Sequence, residues 1–381
     1  MSNHLYDYLL LSLTPHIGPI SFAALMKHFG SASAVLSASA DEIRPCLERP
    51  EAALSALLSR QAESTVEASL KWAEQDDCRL MILTDEDYPL LLAEGMSPPP
   101  ILFLRGNAQL INQAMIAIVG SRHATPQALQ TAEQWGYEIA ESGFTIVSGF
   151  ADGIDSAAHR GALRGENSTI GILGTGIDRV YPAKNRELAH QMAEKGLLVS
   201  EFPLGTAPQA AHFPRRNRII AALGRATVVI EAAEKSGSLI TARLANEFGR
   251  DVMAVPGSIY NPQVKGCHRL IRDGAKLVTN AADILEEYQQ TTPTQTFFSL
   301  PAQSLQKQPE KTLSSITLTE QNVYNAEPCD LLTAMGFDAV HPDELVQKLH
   351  MHPADLYEQL LTLELAGQIA SVAGGRYQRM I

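Results

Sequence analysis

A succession of short, almost unbroken apolar runs, each handed on to a stretch of helical spacing, constrains this chain more than any other feature. The runs are Met115–Val119, Phe144–Val147, Ser168–Leu173, Leu197–Ser200, Ala226–Ile230 and Asp251–Val255. Between them lie Ala128–Ser142, Ile154–Gly165, Arg186–Gly196, Asn217–Leu223 and Leu239–Gly249. Strands that are apolar at consecutive positions are covered on both faces, as in a parallel sheet. The regular alternation predicts a doubly wound, Rossmann-like α/β core with ligands at the carboxyl ends of its strands. Strand-like Leu80–Leu83 and Ile101–Leu104, around Pro98-Pro99-Pro100, are candidates to extend that sheet.

The flanks read differently. Residues 1–78 carry apolar positions at helical spacing (Tyr8, Leu9, Leu11, Leu13; Leu54, Leu57, Leu58) and predict an all-helical domain. Within it, Leu13-Thr14-Pro15-His16-Ile17-Gly18-Pro19 is similar to a helix-hairpin-helix turn, with His16 where that motif usually has its first glycine. A phosphate contact and a plain helical packing module both fit it. The α/β domain spans 79–288. Residues 289–319, rich in Gln, Thr, Ser and Pro, have a linker's composition. In 320–381, helical patterns at Val323–Met335, Pro342–Leu349 and Pro353–Ala366 precede a hairpin-like end through Gly374-Gly375, which predicts a winged helix.

Composition narrows the function classes. The four cysteines (Cys46, Cys78, Cys267, Cys329) form no CxxC pair and read as free thiols, with no metal site. No secretory signal and no apolar run near the ~20 residues that span a bilayer is evident, so a cytoplasmic location is expected. There is no GxxxxGK[ST] loop, HExxH or GxSxG elbow, and no cofactor is implied. Gly174-Thr175-Gly176 follows a strand but lacks the third glycine of a dinucleotide fingerprint, and reads as a tight turn. Asp155 and His159 share a helix face without a nucleophile or metal beside them, which favours a buried structural hydrogen bond.

What remains is a set of turns at strand ends: Gly120-Ser121-Arg122, Ser148-Gly149-Phe150-Ala151-Asp152-Gly153, and Ser236-Gly237-Ser238 before a helix containing Thr241. Glycines admit close approach, and helix first turns leave N–H donors for anions. By topology all three lie on one sheet edge, making a phosphate-binding rim. The formal net charge of −12 makes any local reversal informative. From Phe202 to Ile230 there is no Asp or Glu, yet Arg215, Arg216, Arg218 and Arg225 fall there. Phe213 and Asn217 interleave an aromatic and an amide with these forked donors, and Arg122, Lys184 and Asn185 are further candidates. The competing reading pairs the arginines with Asp155, Glu201 or Glu231.

These residues also resemble the DNA-processing protein A family (DprA or Smf) of bacterial natural transformation. The likeness runs from about Asp87 to Ala275 through Tyr88-Pro89, PPPILFLRGN at 98–107, AIVGSR at 117–122, SGFADGIDSAAHRGAL at 148–163, Tyr181-Pro182, FPRRNRIIAALG at 213–224, SGSLITARLA at 236–245, AVPGS at 254–258 and Lys265-Gly266. Phe150 departs from the family's more frequent leucine. The resemblance implies a protein that binds and protects incoming single-stranded DNA and loads the RecA recombinase onto it, without covalent catalysis. It also implies a homodimer through the Rossmann-like domain. Its DNA-contacting motifs fall on Arg122, the Ser148–Gly153 turn, Lys184 and Phe213–Arg218. Against a winged helix that binds DNA, 320–381 holds nine Asp and Glu against Lys348, Arg376 and Arg379, and its third helix carries Asp355, Glu358 and Glu364. A protein-contact or accessory role suits it better. The alternative for the whole chain is a nucleotide phosphoribohydrolase of the LOG-like group, whose PGGxGTxxE signature supplies a catalytic glutamate. Ser236–Ala242 has none after Thr241.

Overall fold

The apolar runs assemble into one nine-stranded sheet in the computed structural model, which describes residues 3–95, 97–289 and 328–380. The chain forms two compact units, one through Ile284 and one from Leu285 to Met380.

The first unit opens with helices α1 (Asn3–Leu13), α2 (Pro19–Phe29), α3 (Ala32–Ser37), α4 (Ala40–Ile43), α5 (Pro50–Leu58) and α6 (Glu63–Trp72). Pro19 opens α2, where a missing N–H costs nothing, and Gly30 in the left-handed region closes it. His16 adopts φ 67, so the hairpin needs a left-handed residue where the motif has glycine. These helices share one apolar core with a face of the sheet: Tyr8, Leu54 and Trp72 pack in the same cluster as Phe103, Phe150 and Leu198. The Trp72 and Phe103 rings lie 5.7 Å apart, and the Tyr8 hydroxyl donates to the Pro100 carbonyl at 3.0 Å. The core therefore runs unbroken across residue 78.

The sheet elements follow in order: β1 (Cys78–Ile82), α7 (Leu90–Ala93), β2 (Ile101–Gly106), β3 (Met115–Val119), α8 (Pro126–Glu141), β4 (Thr145–Ser148), α9 (Ile154–Ala162), β5 (Thr169–Ile172), α10 (Arg186–Lys195), β6 (Leu197–Ser200), α11 (His212–Leu223), β7 (Ala226–Val229), α12 (Ser238–Glu247), β8 (Asp251–Ala254), α13 (Lys265–Arg272), β9 (Lys276–Leu277) and α14 (Ala281–Gln289). Their spatial order is β1-β2-β6-β5-β4-β3-β7-β8-β9. The strands from β3 to β9 run parallel, whereas β2 is antiparallel to β6 and β1 to β2. From β3 the chain winds outward through β4 and β5 to β6, then returns to the far side of β3 for β7. That reversal opens a crevice at the carboxyl ends of β3 and β7.

One boundary differs from expectation in a way that matters. Helix α11 starts at His212, five residues before the expected Asn217, because Pro214 lies in the first turn, where no backbone donor is required. The basic run is thus helical.

The second unit is a winged helix: α15 (Pro328–Met335), α16 (Pro342–Leu349), α17 (Pro353–Leu365) and a hairpin of β10 (Ile369–Val372) and β11 (Arg376–Arg379). Leu331, Met335, Leu345, Leu356, Leu360, Leu363 and Ile369 form its core. Gln289, the first residue of the expected linker, closes α14, and the rest of 289–319 lies outside the described residues, as do 323–327 of the expected first helix. Among the described residues no helix is long and apolar enough to cross a membrane.

Candidate functional site

The crevice is a cleft of about 800 Å³. Arg122 reaches it from the turn after β3, Tyr181 from the loop before α10, Phe213 and Asn217 from the first half of α11, and Lys235 and Ser236 from the turn after β7. The Arg122 guanidinium sits over the Phe213 ring, 5.3 Å from its centroid, and the Tyr181 ring lies 5.7 Å from that of Phe213. Gly174 makes this possible: a Cβ there would come within 2.9 Å of Phe213 Cδ1. The tight turn expected at 174–176 thus seats an aromatic. Among the described residues Arg122 and Lys235 are exposed and have no carboxylate within ion-pair distance.

The Ser148–Gly153 turn forms a buried floor. The Ser148 hydroxyl donates to the Ile118 carbonyl at 2.6 Å and is inaccessible. Gly153, at φ 75, stacks the turn on the neighbouring strand end, since a Cβ there would lie 2.2 Å from the Ser121 carbonyl oxygen. A Cβ on Gly149 would strike both Asp155 Oδ2, at 2.6 Å, and Arg216 Nη2, at 2.7 Å. Asp155 accepts from the Ala151 N–H at 3.3 Å, and burial raises its pKa against the pull of Arg216. His159 is wholly buried beside it on α9. The Thr169 hydroxyl donates to the Ile146 carbonyl at 2.8 Å, so it accepts from His159 Nδ1–H across 2.7 Å. Burial, reinforced by Arg216, pushes His159 down to about 3 and keeps it neutral. His159 thus makes a buried structural hydrogen bond, but to Thr169 and not to Asp155, the partner that the shared helix face suggested.

The arginines divide by helical phase. Successive residues of α11 turn by about 100°, so Arg215 and Arg218 share one side while Arg216 faces another. Arg216 is 3% exposed and donates to the carbonyls of Gly149 and Ile172. Burial lowers its pKa to about 10, still charged at neutrality. It lines the cleft as expected of a phosphate contact, but its Nη1 is committed to the floor carbonyls and its Nε to Asn217 Oδ1, so its structural role there is support. Arg218, with 15% of its side chain exposed, is bonded to Glu201 Oε2. Arg215 bonds the same oxygen at 3.0 Å but keeps 45% of its side chain exposed, its guanidinium 5.2 Å from the centroid of the Phe202 ring. The carboxylate reading of the sequence therefore holds for Arg215 and Arg218.

Three other expected contacts also turn inward. Asn185 is buried, donating to the Phe150 carbonyl at 3.2 Å and to the Ser156 hydroxyl at 3.0 Å. Ser148 and Gly149 likewise serve the floor. Lys184 stands out with 69% of its side chain exposed, bridging Asp152 at 3.1 Å. In the Ser236-Gly237-Ser238 turn, Ser236 Oγ accepts from Ser238 N, and the Ser236 carbonyl accepts from Leu239 N. Asn217 reaches the Gly237 carbonyl at 3.5 Å. Full positive charge at the cleft comes from the exposed Arg122 and Lys235 side chains. Lys235 escaped the sequence reading although it adjoins the serine–glycine turn. Tyr181 was legible only as part of a motif. Among the described residues no group of three or more His, Cys, Asp or Glu is arranged to hold a metal ion.

Comparison with known proteins fits this architecture. Residues 79–289 match the family described as DNA recombination-mediator protein A, and the chain is 40% identical over 316 residues to Protein Smf of Escherichia coli, covering 82% of this chain and 80% of that one. The chain belongs to the DprA/Smf family. Residues 3–41 match the DprA-like N-terminal HHH domain and 321–375 the DprA winged helix domain. The DNA processing protein DprA of Streptococcus pneumoniae is 44% identical over 207 residues, 54% of this chain and 73% of its own. Its X-ray structure is similar with a TM-score of 0.65 at 33% identity, covering 75% of this chain and 99% of that one. DprA of Helicobacter pylori, in a structure described as giving insight into its single-stranded DNA binding mode, is similar at a TM-score of 0.50 and 28% identity over 56% of this chain and 96% of that one.

Proposed function

We propose that this DprA/Smf protein binds single-stranded DNA in the cleft above β3 and β7, protects incoming strands and loads the RecA recombinase onto them in natural transformation. It works in the cytoplasm as a homodimer through the Rossmann-like domain and makes or breaks no covalent bond. The observation that carries the DNA reading is the exposed Arg122 guanidinium over the Phe213 ring, with Lys235 lining the same cleft. An aromatic with a cation beside it suits an unpaired base and its phosphate, because every base offers a π-face and a duplex offers none. Lys184 and the exposed part of Arg215 add charge outside that cleft. Arg216, Asn185, Ser148 and Gly149 act as support, holding the floor on which the strand lies. The neighbour from Helicobacter pylori, titled for its single-stranded DNA binding, supports the choice of ligand.

Fluorescence anisotropy with labelled oligothymidine over a salt series tests this. Binding should weaken with a log–log slope of about −0.7 per phosphate contact on a single strand. Arg122→Ala and Lys235→Ala should each flatten that slope. Absence of binding, or equal affinity for duplex, would end the proposal. Incubation with AMP separates the hydrolase reading: no free base is expected, and steady turnover would replace DNA binding with nucleotide hydrolysis.

A further inference from the structure

We propose that the outward face of α17 is a protein-docking surface whose occupant is a basic amphipathic helix of another protein. The inference concerns the winged-helix unit and does not rest on the DNA reading of the cleft.

The helix has two apolar faces, and the fold uses one. Leu356, Leu360 and Leu363 point inward and are buried. Tyr357, Leu361 and Leu365 recur every four residues on the outside, with 49%, 57% and 82% exposed. That spacing lines them up as one stripe. A single exposed leucine needs no explanation, but an ordered stripe along a helix does. From Tyr357 to Leu365 it spans about 12 Å at the helical rise, enough for two turns of a partner helix.

Charge decides what covers the stripe. Glu358, exposed, borders it about 60° round the helix from Leu361, and Asp355, also exposed, lies further round on the same side. Among the unit's described residues the bases are few: Lys348 donates to the Ala334 carbonyl at 2.6 Å, Arg379 lies 4.9 Å from the centroid of the Phe337 ring, and Arg376 is exposed on β11, off the helix. In helix-turn-helix folds the corresponding helix enters a DNA groove. Here it brings carboxylates and no base, so a phosphate polymer is repelled. A second copy fits poorly too, because a two-fold contact centred on Leu361 brings Glu358 toward Glu364 of the other copy, acid to acid with no base between. An apolar ridge edged with Lys or Arg satisfies both stripe and acids, as in helix recognition through anchors at i and i+4.

The test places a photo-crosslinking benzoylphenylalanine at Leu365 of the full chain in cells that express it, with the same group at exposed Ala373 as the comparison. Adducts are identified by mass spectrometry of the crosslinked peptide. The expected result is a dominant protein adduct at Leu365 whose peptide alternates apolar and basic residues at helical spacing. Leu361→Glu, and separately Asp355→Lys with Glu358→Lys, should cut its yield about tenfold or more, the size of one lost interface anchor. Leu361→Glu should leave thermal unfolding and oligothymidine binding unchanged, and the double change should lower Tm only by the few degrees expected when the first-turn acid Asp355 is replaced. Adducts to DNA or to a second copy of the chain would overturn the proposal. So would a set shared with Ala373, insensitivity to both variants, or no adduct at all.

Discussion

Replacing Arg216 by Met separates a supporting arginine from a contacting one. The sequence alone predicts that Arg215→Ala and Arg216→Ala both weaken DNA binding with little effect on folding, and the structure splits that prediction. Arg216 is 3% exposed, donates to the Gly149 and Ile172 carbonyls, and bonds Asn217 Oδ1 through Nε at 3.2 Å. Met keeps much of the stem's packing but removes every donor. Each buried carbonyl left unpaired costs about 1–3 kcal/mol, and Asp155 loses the cation that opposes its desolvation. These neighbouring effects do not simply add, so we set the loss at about 4 kcal/mol. At roughly 2–4 °C per kcal/mol for a large domain, Tm should fall by about 10 °C. Arg215→Ala leaves the Arg218–Glu201 bond in place and removes a partly exposed pair worth about 0–1 kcal/mol. Its Tm should stay within about 3 °C of the parent. Oligothymidine affinity should fall, and the salt slope should flatten by about 0.7 or less. Calorimetry and anisotropy on the same preparations give both quantities. An Arg216→Met protein that melts with the parent yet fails to bind DNA would refute the inward role assigned to Arg216.

Three further outcomes are expected. Phe213→Ala should raise the oligothymidine Kd by about 5- to 150-fold, the worth of one stacked base at 1–3 kcal/mol, while Arg122→Lys at the same stack should lose less; unchanged affinity in Phe213→Ala would take the base off that ring. Gly153→Ala forces a side chain into φ 75 against the Ser121 carbonyl and should destabilise by about 2–4 kcal/mol, read by denaturant midpoint at constant m-value. His159 is depressed to about 3 in the fold against 6.5 unfolded, so the unfolded chain takes up its proton first. Stability from this group is complete above about pH 6.5 and declines toward pH 3, by roughly 2–3 kcal/mol near pH 4.5; a His159→Gln protein whose pH profile matches the parent's there would show that another group carries the loss.

Much of the fold was legible because burial writes itself plainly into parallel strands. Met115–Val119 and Leu197–Ser200 occupy the limits their apolar runs suggested, and the runs near Leu80 and Ile101 became the antiparallel extension. The three strand-end turns were found because topology alone gathers them. Arginine orientation was hidden, since it depends on helical phase, and the phase was lost by starting α11 after Pro214. A one-dimensional string also cannot show that Glu201, distant by 14 and 17 residues, clasps Arg215 and Arg218 together. Nor could it show that Gly174 is small for the sake of a ring thirty-nine positions away, a pairing only the folded crevice reveals.

The unbroken core across residue 78 bears on how this protein can be taken apart. A chain shortened to begin at 79 would leave Phe103 without Trp72 and Pro100 without the Tyr8 hydroxyl, baring an oily flank of the sheet to water. Such a fragment should stick to itself or to chaperones. Lost activity after that truncation would then report a damaged scaffold, whatever the hairpin at His16 does with phosphate.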